Sequence, residues 1–288
     1  MTPVVALVAP GNMGAAVARR LTGHGVKVLT TLAGRGAASV ARAEAAGMTD
    51  VPLAGLVAAE LVLSILPPAH ALSFAQQMTP LLSAAERKPV FVDCNAVSPE
   101  TVRQIGAVIS AAGAPFVDAS IIGLPPKPGQ AGPRFYACGA SASRVRALSE
   151  YGLDVRVLDG PIGAASALKM SYAGINKGVA AIAAAMILAA SRSGATEALY
   201  QEMSESLPGL LNSLGRQVPD MLPKAYRWVG EMREIAAYAG EDTAARDVFV
   251  GFAALFDRIA RDAAGERLES DALTGFFTRA VSGADNVG

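Results

Sequence analysis

Short apolar runs alternate with helical stretches over the first half of the chain, and this alternation restricts the fold more than any other feature. Val4-Val5-Ala6-Leu7-Val8 is continuously apolar and stops at Ala9-Pro10-Gly11. A strand buried on both faces has this pattern, because helices cover it above and below. Asn12–Gly23 then reads as a helix with Met13, Ala16, Val17 and Leu21 on one face. Further strands are expected at 26–32, 61–66, 89–93, 116–122 and 134–138, and helices at 37–46, 69–82 and 99–112. Strands that alternate with helices specify a parallel, doubly wound sheet. After Asp159-Gly160-Pro161 the pattern changes. From Gly163 to about Ser191 there is no proline, and the residues favour a helix about 40 Å long at ~1.5 Å per residue. More helices follow, with breaks expected at Pro208, Pro219 and Pro223, and no strand is expected after Val157. The expected fold class is α/β: a Rossmann-type sheet over 1–161, then an all-α domain over 162–288 entered by a long interdomain helix. Residues 282–288 read as a loose tail.

Composition narrows the function classes. The chain has 288 residues, is 52% hydrophobic, and balances 25 Lys and Arg against 25 Asp and Glu. With neither a basic stripe nor an aromatic ladder, nucleic acid is not an expected partner. Cys94 and Cys138 sit in apolar, strand-like contexts and read as two buried thiols. His24 and His70 lack ligand spacing, so no metal is expected. The sequence runs directly into its first strand, so no signal peptide is expected. The longest apolar stretch, 178–190, falls short of the ~20 residues of a membrane span, so the expected setting is the cytoplasm.

The turn after the first strand carries the first chemistry. Ala9-Pro10-Gly11-Asn12-Met13-Gly14 follows the dinucleotide pattern G-x-G-x-x-G with alanine at the first glycine. Gly11 lets backbone approach a pyrophosphate, and Gly14 lets the helix pack on the strand. The phosphates would meet free N–H groups at the helix start, where the dipole favours negative charge. At the end of the second strand, Thr30-Thr31-Leu32-Ala33-Gly34-Arg35 has no carboxylate for a ribose hydroxyl pair. Arg35, with the Thr31 hydroxyl, suits a 2′-phosphate, so NADP is favoured and NAD remains an option.

Further segments, in order, resemble the β-hydroxyacid dehydrogenase family, which includes 6-phosphogluconate dehydrogenase and the imine reductases. The opening phrase of that family is similar to Val8 to Gly14, and its Leu-Pro at a strand end to Leu66-Pro67. Its D-x-S-T-x-x-P resembles Asp93 to Pro99, and its substrate loop resembles Asp118-Ala119-Ser120-Ile121-Ile122-Gly123-Leu124. Its G-x-G-x-x-x-K resembles Gly163-Ala164-Ala165-Ser166-Ala167-Leu168-Lys169. The stretch from Leu222 to Ala237 resembles a less characterised branch with its own helical domain. This resemblance implies a hydride-transfer enzyme with Lys169 as general acid/base, its pKa lowered by burial. It places Ala9, Gly11, Asn12, Met13, Gly14, Thr31, Arg35, Leu66, Pro67 and Asn95 at the cofactor. It places Ser120, Ile122 and Gly123 at a small-molecule substrate. The family asparagine four residues after the lysine is Ala173 here, and Asn176 on nearly the same helix face takes its part. The family's K-D-x-x-L-A phrase reads Glu231-Met232-Arg233-Glu234-Ile235-Ala236. Trp228, beside Tyr226 and Arg227, is a candidate substrate contact. Two alternatives stay open, an imine reductase and a non-catalytic NADP(H)-binding protein. The apolar long helix is expected to pair in a homodimer with intertwined helical domains.

Overall fold

The computed structural model describes residues 2–127 and 129–278; the expected tail at 282–288 lies outside them. The chain divides into two compact units, Met1–Met170 and Ser171–Gly288, described in turn.

The first unit is built on an eight-stranded sheet: β1 (Val4–Val8), β2 (Lys27–Thr30), β3 (Thr49–Asp50), β4 (Leu61–Ser64), β5 (Val90–Asp93), β6 (Phe116–Ile122), β7 (Arg134–Cys138) and β8 (Asp154–Val157). Their spatial order is β3-β2-β1-β4-β5-β6-β7-β8. Four helices connect the early strands: α1 (Asn12–Gly23), α2 (Ala37–Ala45), α3 (Ala71–Ala84) and α4 (Pro99–Ala111), with the short α5 (Ala142–Arg146) before β8. Successive residues of β1 serve opposite cores. Val5 and Leu7 pack with Val17, Ala18 and Leu21 of α1, whereas Ala6 and Val8 join Phe74, Met78 and Leu82 of α3 and Ile105 and Ile109 of α4. That is why the strand reads as an unbroken apolar run.

One pair departs from the expected all-parallel sheet. β6 and β7 are antiparallel, with Ser120 opposite Tyr136. A parallel pair needs a crossover of a dozen or more residues, usually a helix. The Gly- and Pro-rich connection between β6 and β7 carries no helix among its described residues, and β7 runs back along β6. Arg20 of α1 ties this connection down, donating to the carbonyls of Lys127 at 3.0 Å and Gln130 at 2.8 Å. Cys94 and Cys138 are both buried free thiols, as their contexts suggested.

The remaining helices are α6 (Ala164–Arg192), α7 (Thr196–Ser206), α8 (Pro208–Met221), α9 (Ala225–Ala239), α10 (Thr243–Ala264) and α11 (Leu268–Thr278). The second unit begins within α6, and its described residues are helical throughout apart from turns. Gly174 and Gly178 of α6 form a small-residue groove filled by Phe249 and Phe252 of α10. The expected break at Pro219 does not occur. α8 runs through it to Met221, because a proline in the last turn removes only one terminal hydrogen bond, and a 3-10 turn at Leu222–Lys224 follows.

The reading of α6 as too short for a bilayer also changes. By length and composition this 29-residue helix qualifies as a membrane span, because its apolar character extends well before Gly178. It is accounted for as a packed helix by its buried N-terminus in the sheet unit and by the aromatic rings seated in its glycine groove. Tyr172, Ile175, Val179, Ile182 and Met186 recur along it at alternating spacings of three and four and are exposed, Ile175 by 71%.

Gly14 is fixed by packing, since a Cβ there would be driven into the Ala9 carbonyl oxygen, whereas a Cβ on Gly11 meets nothing. Gly14→Ala is therefore expected to cost about 1–3 kcal/mol, read as a lower urea midpoint. Gly11→Ala is expected to leave that midpoint unchanged.

Candidate functional site

Strand register sets a polar row at the carboxyl edge of the sheet. Ser64 of β4 pairs with Asp93 of β5, Asp93 with Asp118 of β6, and Asp118 with Cys138 of β7. All four are buried. Open α/β sheets take their ligands at this edge.

Asn95 joins two of these strand ends. Its amide nitrogen donates to Ser64 Oγ at 2.9 Å and to Asp93 Oδ2 at 2.7 Å, and its Oδ1 accepts the Leu66 N–H at 2.6 Å. Both amide hydrogens are thus committed within the protein. Asn95, expected beside the cofactor, holds the backbone of Leu66 in place and has no donor left for a ligand. Pro67 follows directly and starts the 3-10 turn Pro68–His70.

Asp118 organises the start of α6. Its Oδ2 accepts the N–H groups of Gly163 at 2.9 Å, Ala165 at 3.1 Å and Ser166 at 3.2 Å, and its Oδ1 accepts Ser166 Oγ at 2.8 Å. Cys138 Sγ adds a contact at 3.3 Å. The carboxylate supplies the acceptors that the first turn of a helix lacks and meets the positive end of its dipole. This role was not visible in the sequence, because the donors lie 45 or more positions away.

Lys169 lies in the second turn of α6 and is half-buried. Burial lowers its pKa, while Cys94 and Asp93 pull it back up. Asp93 shifts the other way, raised to about 6: burial drives the rise, the hydrogen bonds from Asn95 oppose it, Asp118 adds to it and Lys169 subtracts. Burial pushes the Cys94 thiol up, so it stays protonated at neutral pH. The Cys138 thiol is raised to about 11 by burial and the neighbouring Asp118. A lysine amine and a carboxyl group thus share one buried neighbourhood, and each is moved toward its neutral form.

The residues present fit a dinucleotide at the glycine turn. Gly11 is the N-cap of α1 with ordinary extended backbone, and no side chain caps the helix or places an acid in its first turn. The helix start at Asn12, Met13 and Gly14 is therefore open to an anion. The space beside Gly11 is empty, so the protein's own packing does not require glycine there and the backbone is open to a close approach. Thr31 at the end of β2 is buried, and its hydroxyl has no partner. Ala9 donates its N–H to Ile65 O at 3.1 Å, which ties the turn to the chain just before Leu66. Arg35 is exposed. A carboxylate does stand near this region: Asp50, on the two-residue strand β3 that the pattern did not reveal, accepts the Leu32 N–H at 2.9 Å. On β6, Ser120 Oγ is likewise buried and unpartnered, Ile122 ends the strand, and Gly123 follows with φ +128°.

Asn176 and Trp228 belong to the second unit. Asn176 is exposed on α6, and Gln217 Nε2 donates to its side-chain oxygen and, at 3.0 Å, to its backbone carbonyl. Trp228 packs edge-on against Phe256 with centroids 5.2 Å apart, and Lys177 Nζ lies 5.3 Å from its ring centre. Lys177 also pairs with Glu231, the residue that replaces the lysine of the family phrase.

The Asp93 shift has a stability consequence. A carboxyl with a higher pKa when folded binds its proton more tightly in that state, so its contribution falls as pH rises from 3.8 through about 6. At 1.36 kcal/mol per pH unit the loss is about 3 kcal/mol. Urea unfolding at pH 4 and pH 8 is expected to show Asp93→Asn with a pH dependence flatter than wild type by about that amount.

Comparison with known proteins places this architecture. Residues 4–151 match the NAD binding domain of 6-phosphogluconate dehydrogenase, and residues 190–259 match a domain of unknown function, DUF1932. The second match falls on the helical unit whose sequence resembled a less characterised branch. A 28.5 kDa uncharacterized protein of Methanothermus fervidus is 28% identical over 147 residues, 51% of this chain and 54% of that protein. The 3-hydroxyisobutyrate dehydrogenase of Pseudomonas aeruginosa is 32% identical over 122 residues, 41% of this chain and 40% of that enzyme. The chain thus spans about half the length of the curated relatives it matches. A solved structure of a conserved protein of unknown function, structurally similar to 3-hydroxyacid dehydrogenases, superimposes with a TM-score of 0.77 at 28% identity, covering 92% of this chain and 98% of its own. By the match over residues 4–151, this chain belongs to the family of the NAD binding domain of 6-phosphogluconate dehydrogenase.

Proposed function

We propose that this chain is an NADP-preferring oxidoreductase that moves a hydride between the nicotinamide and the hydroxyl or carbonyl carbon of a small organic substrate, with Lys169 as general acid/base. One observation carries the reading: the amine of Lys169 is pushed toward neutrality by burial, beside the strand end of Asp93 at the sheet edge where this fold takes its ligands. The likeness to the Pseudomonas aeruginosa 3-hydroxyisobutyrate dehydrogenase supports the substrate class. The bound nicotinamide supplies or accepts the hydride. Lys169 gives its proton to the carbonyl oxygen in reduction and takes it back from the hydroxyl in oxidation. The unpartnered Ser120 hydroxyl offers the substrate a hydrogen bond beside the backbone of Ile122 and Gly123, and Leu66 and Pro67 wall the cofactor side. Arg35 and the buried Thr31 hydroxyl beside the end of β2 support NADP over NAD, with the Asp50 carboxylate holding the Leu32 N–H. Residues 1–161 serve as the dinucleotide-binding domain and 162–288 as the substrate and dimerisation domain, in a cytoplasmic enzyme.

Oxidation of NADPH with a panel of small aldehydes, ketones and keto acids tests this reading. Lys169→Ala is expected to lower kcat on the best substrate by ~100-fold or more while leaving NADPH affinity unchanged. Near-full turnover in that variant would remove Lys169 from the chemistry.

The partner proposed for the long helix is a second copy of the chain. Tyr172, Ile175, Val179, Ile182 and Met186 form an apolar stripe at heptad spacing, the pattern of a seam that packs against its own copy. Light scattering at micromolar concentration is expected to give twice the monomer mass, and the double variant Ile175→Glu, Ile182→Glu is expected to give the monomer.

A further inference from the structure

We propose that Arg42, on α2, is the residue that selects the 2′-phosphate of the dinucleotide, with Arg35 subsidiary to it; the proposal rests on the NADP preference above. Arg42 projects from the second turn of α2 back to the glycine turn. Its Nε donates to the Pro10 carbonyl at 2.9 Å, and its Nη2 donates to Ser39 Oγ at 3.0 Å. The side chain is half-buried. Two of its five N–H groups are thereby committed, and the other three have no hydrogen-bond partner among the described residues. A guanidinium held along one edge with its other donors open suits bidentate capture of a phosphate, because the rotamer entropy is lost before the ligand arrives.

Its location matches that task. The adenosine ribose of a dinucleotide lies between the glycine turn and the end of the second strand, where an acid marks NAD and a basic group accommodates NADP. Arg42 sits on α2, the helix that follows the second strand, and ties that helix to the glycine turn through Pro10. Thr31, at the end of the same strand, contributes a hydroxyl that is buried and unpartnered. The start of α2 adds free N–H groups, since Gly36 caps it without a side-chain bond and no acid occupies its first turn. Arg35, in contrast, stands exposed between Gly34 and Gly36; its N–H donates to the Leu32 carbonyl at 3.0 Å, and its guanidinium makes no hydrogen bond or ion pair among the described residues. Ordering it on a ligand costs side-chain entropy that Arg42 has already lost. The one acidic group the hydrogen bonds place at this edge, Asp50, has an oxygen committed to the Leu32 N–H.

Calorimetric titration of the full chain with NADP+, NAD+, adenosine 2′,5′-bisphosphate and AMP tests the assignment without turnover. Wild type is expected to bind NADP+ at least ~10-fold tighter than NAD+, and the bisphosphate tighter than AMP, as befits an added charge-assisted pair. Arg42→Met is expected to remove that preference while NAD+ affinity stays within about threefold, whereas Arg35→Met keeps most of it. Arg42→Lys, which keeps the charge and loses the fork, is expected to fall between wild type and Arg42→Met. The assignment is overturned if Arg42→Met keeps the ratio, or if it weakens NADP+ and NAD+ equally, because the arginine then only shapes the turn. Loss of the ratio in Arg35→Met alone also overturns it. A wild type with no preference for NADP+ removes the underlying reading itself and is recognised before any variant is made.

Discussion

The carboxylate of Asp118 is the contact on which the candidate site depends. A buried charge is costly unless donors surround it. Asp118 has the N–H groups of Gly163, just before α6, and of Ala165 and Ser166 in its first turn, the Ser166 hydroxyl, and the Cys138 thiol. These bonds also satisfy the orphan donors of a helix start that lies inside the protein. Because Asp118 sits in register with Asp93 on β5, the same contact that starts the helix also fixes the height at which its second turn passes the sheet edge. The position of Lys169 beside Asp93 and Cys94 follows from that anchoring.

The electrostatics of the row then have a direction. Lys169 and Asp93 attract each other, which by itself would keep both charged. Burial outweighs that attraction at each group, raising the acid to about 6 and lowering the amine. A buried amine in this state releases its proton more readily than a solvated lysine does. Asn95 moderates the effect. Its two bonds to Asp93 favour the carboxylate, so the neighbour of the lysine is less shifted than burial alone would leave it.

The legibility of this chain divides by distance along the sequence. The strands and helices of the first unit were legible because each is a local pattern of apolar residues, and β6 and β7 match their expected spans. The antiparallel turn between them was obscured because parallel and antiparallel strands share a pattern and differ only in the connection. Two-residue β3 is too short to carry any period. At the site, Thr31, Ser120 and Lys169 were visible as residue types at motif positions. The capping role of Asp118, the committed amide of Asn95 and the reach of Arg42 to Pro10 were not, because each depends on a partner brought near only by the fold. A signal existed for Asp118: an acid at the end of a buried strand must find donors, and a glycine-led helix start such as Gly163 to Ser166 supplies them.

The substituted glycines follow the same logic. The dinucleotide pattern loses its first glycine at Ala9, and the lysine phrase loses its second at Ala165. Neither alanine adopts left-handed backbone; Ala165 lies within α6 and gives its N–H to Asp118, as any residue with an N–H would. The glycines that remain are those with a physical demand on them. Gly14 has the Ala9 carbonyl against its Cα, and Gly163 has φ +104° where its N–H turns toward Asp118. Gly11 is the exception, since neither its backbone nor its neighbours require glycine and the space beside it is open. A chain can therefore depart from a motif wherever the glycine served only habit, and it keeps glycine where backbone, packing or an approaching phosphate needs the space.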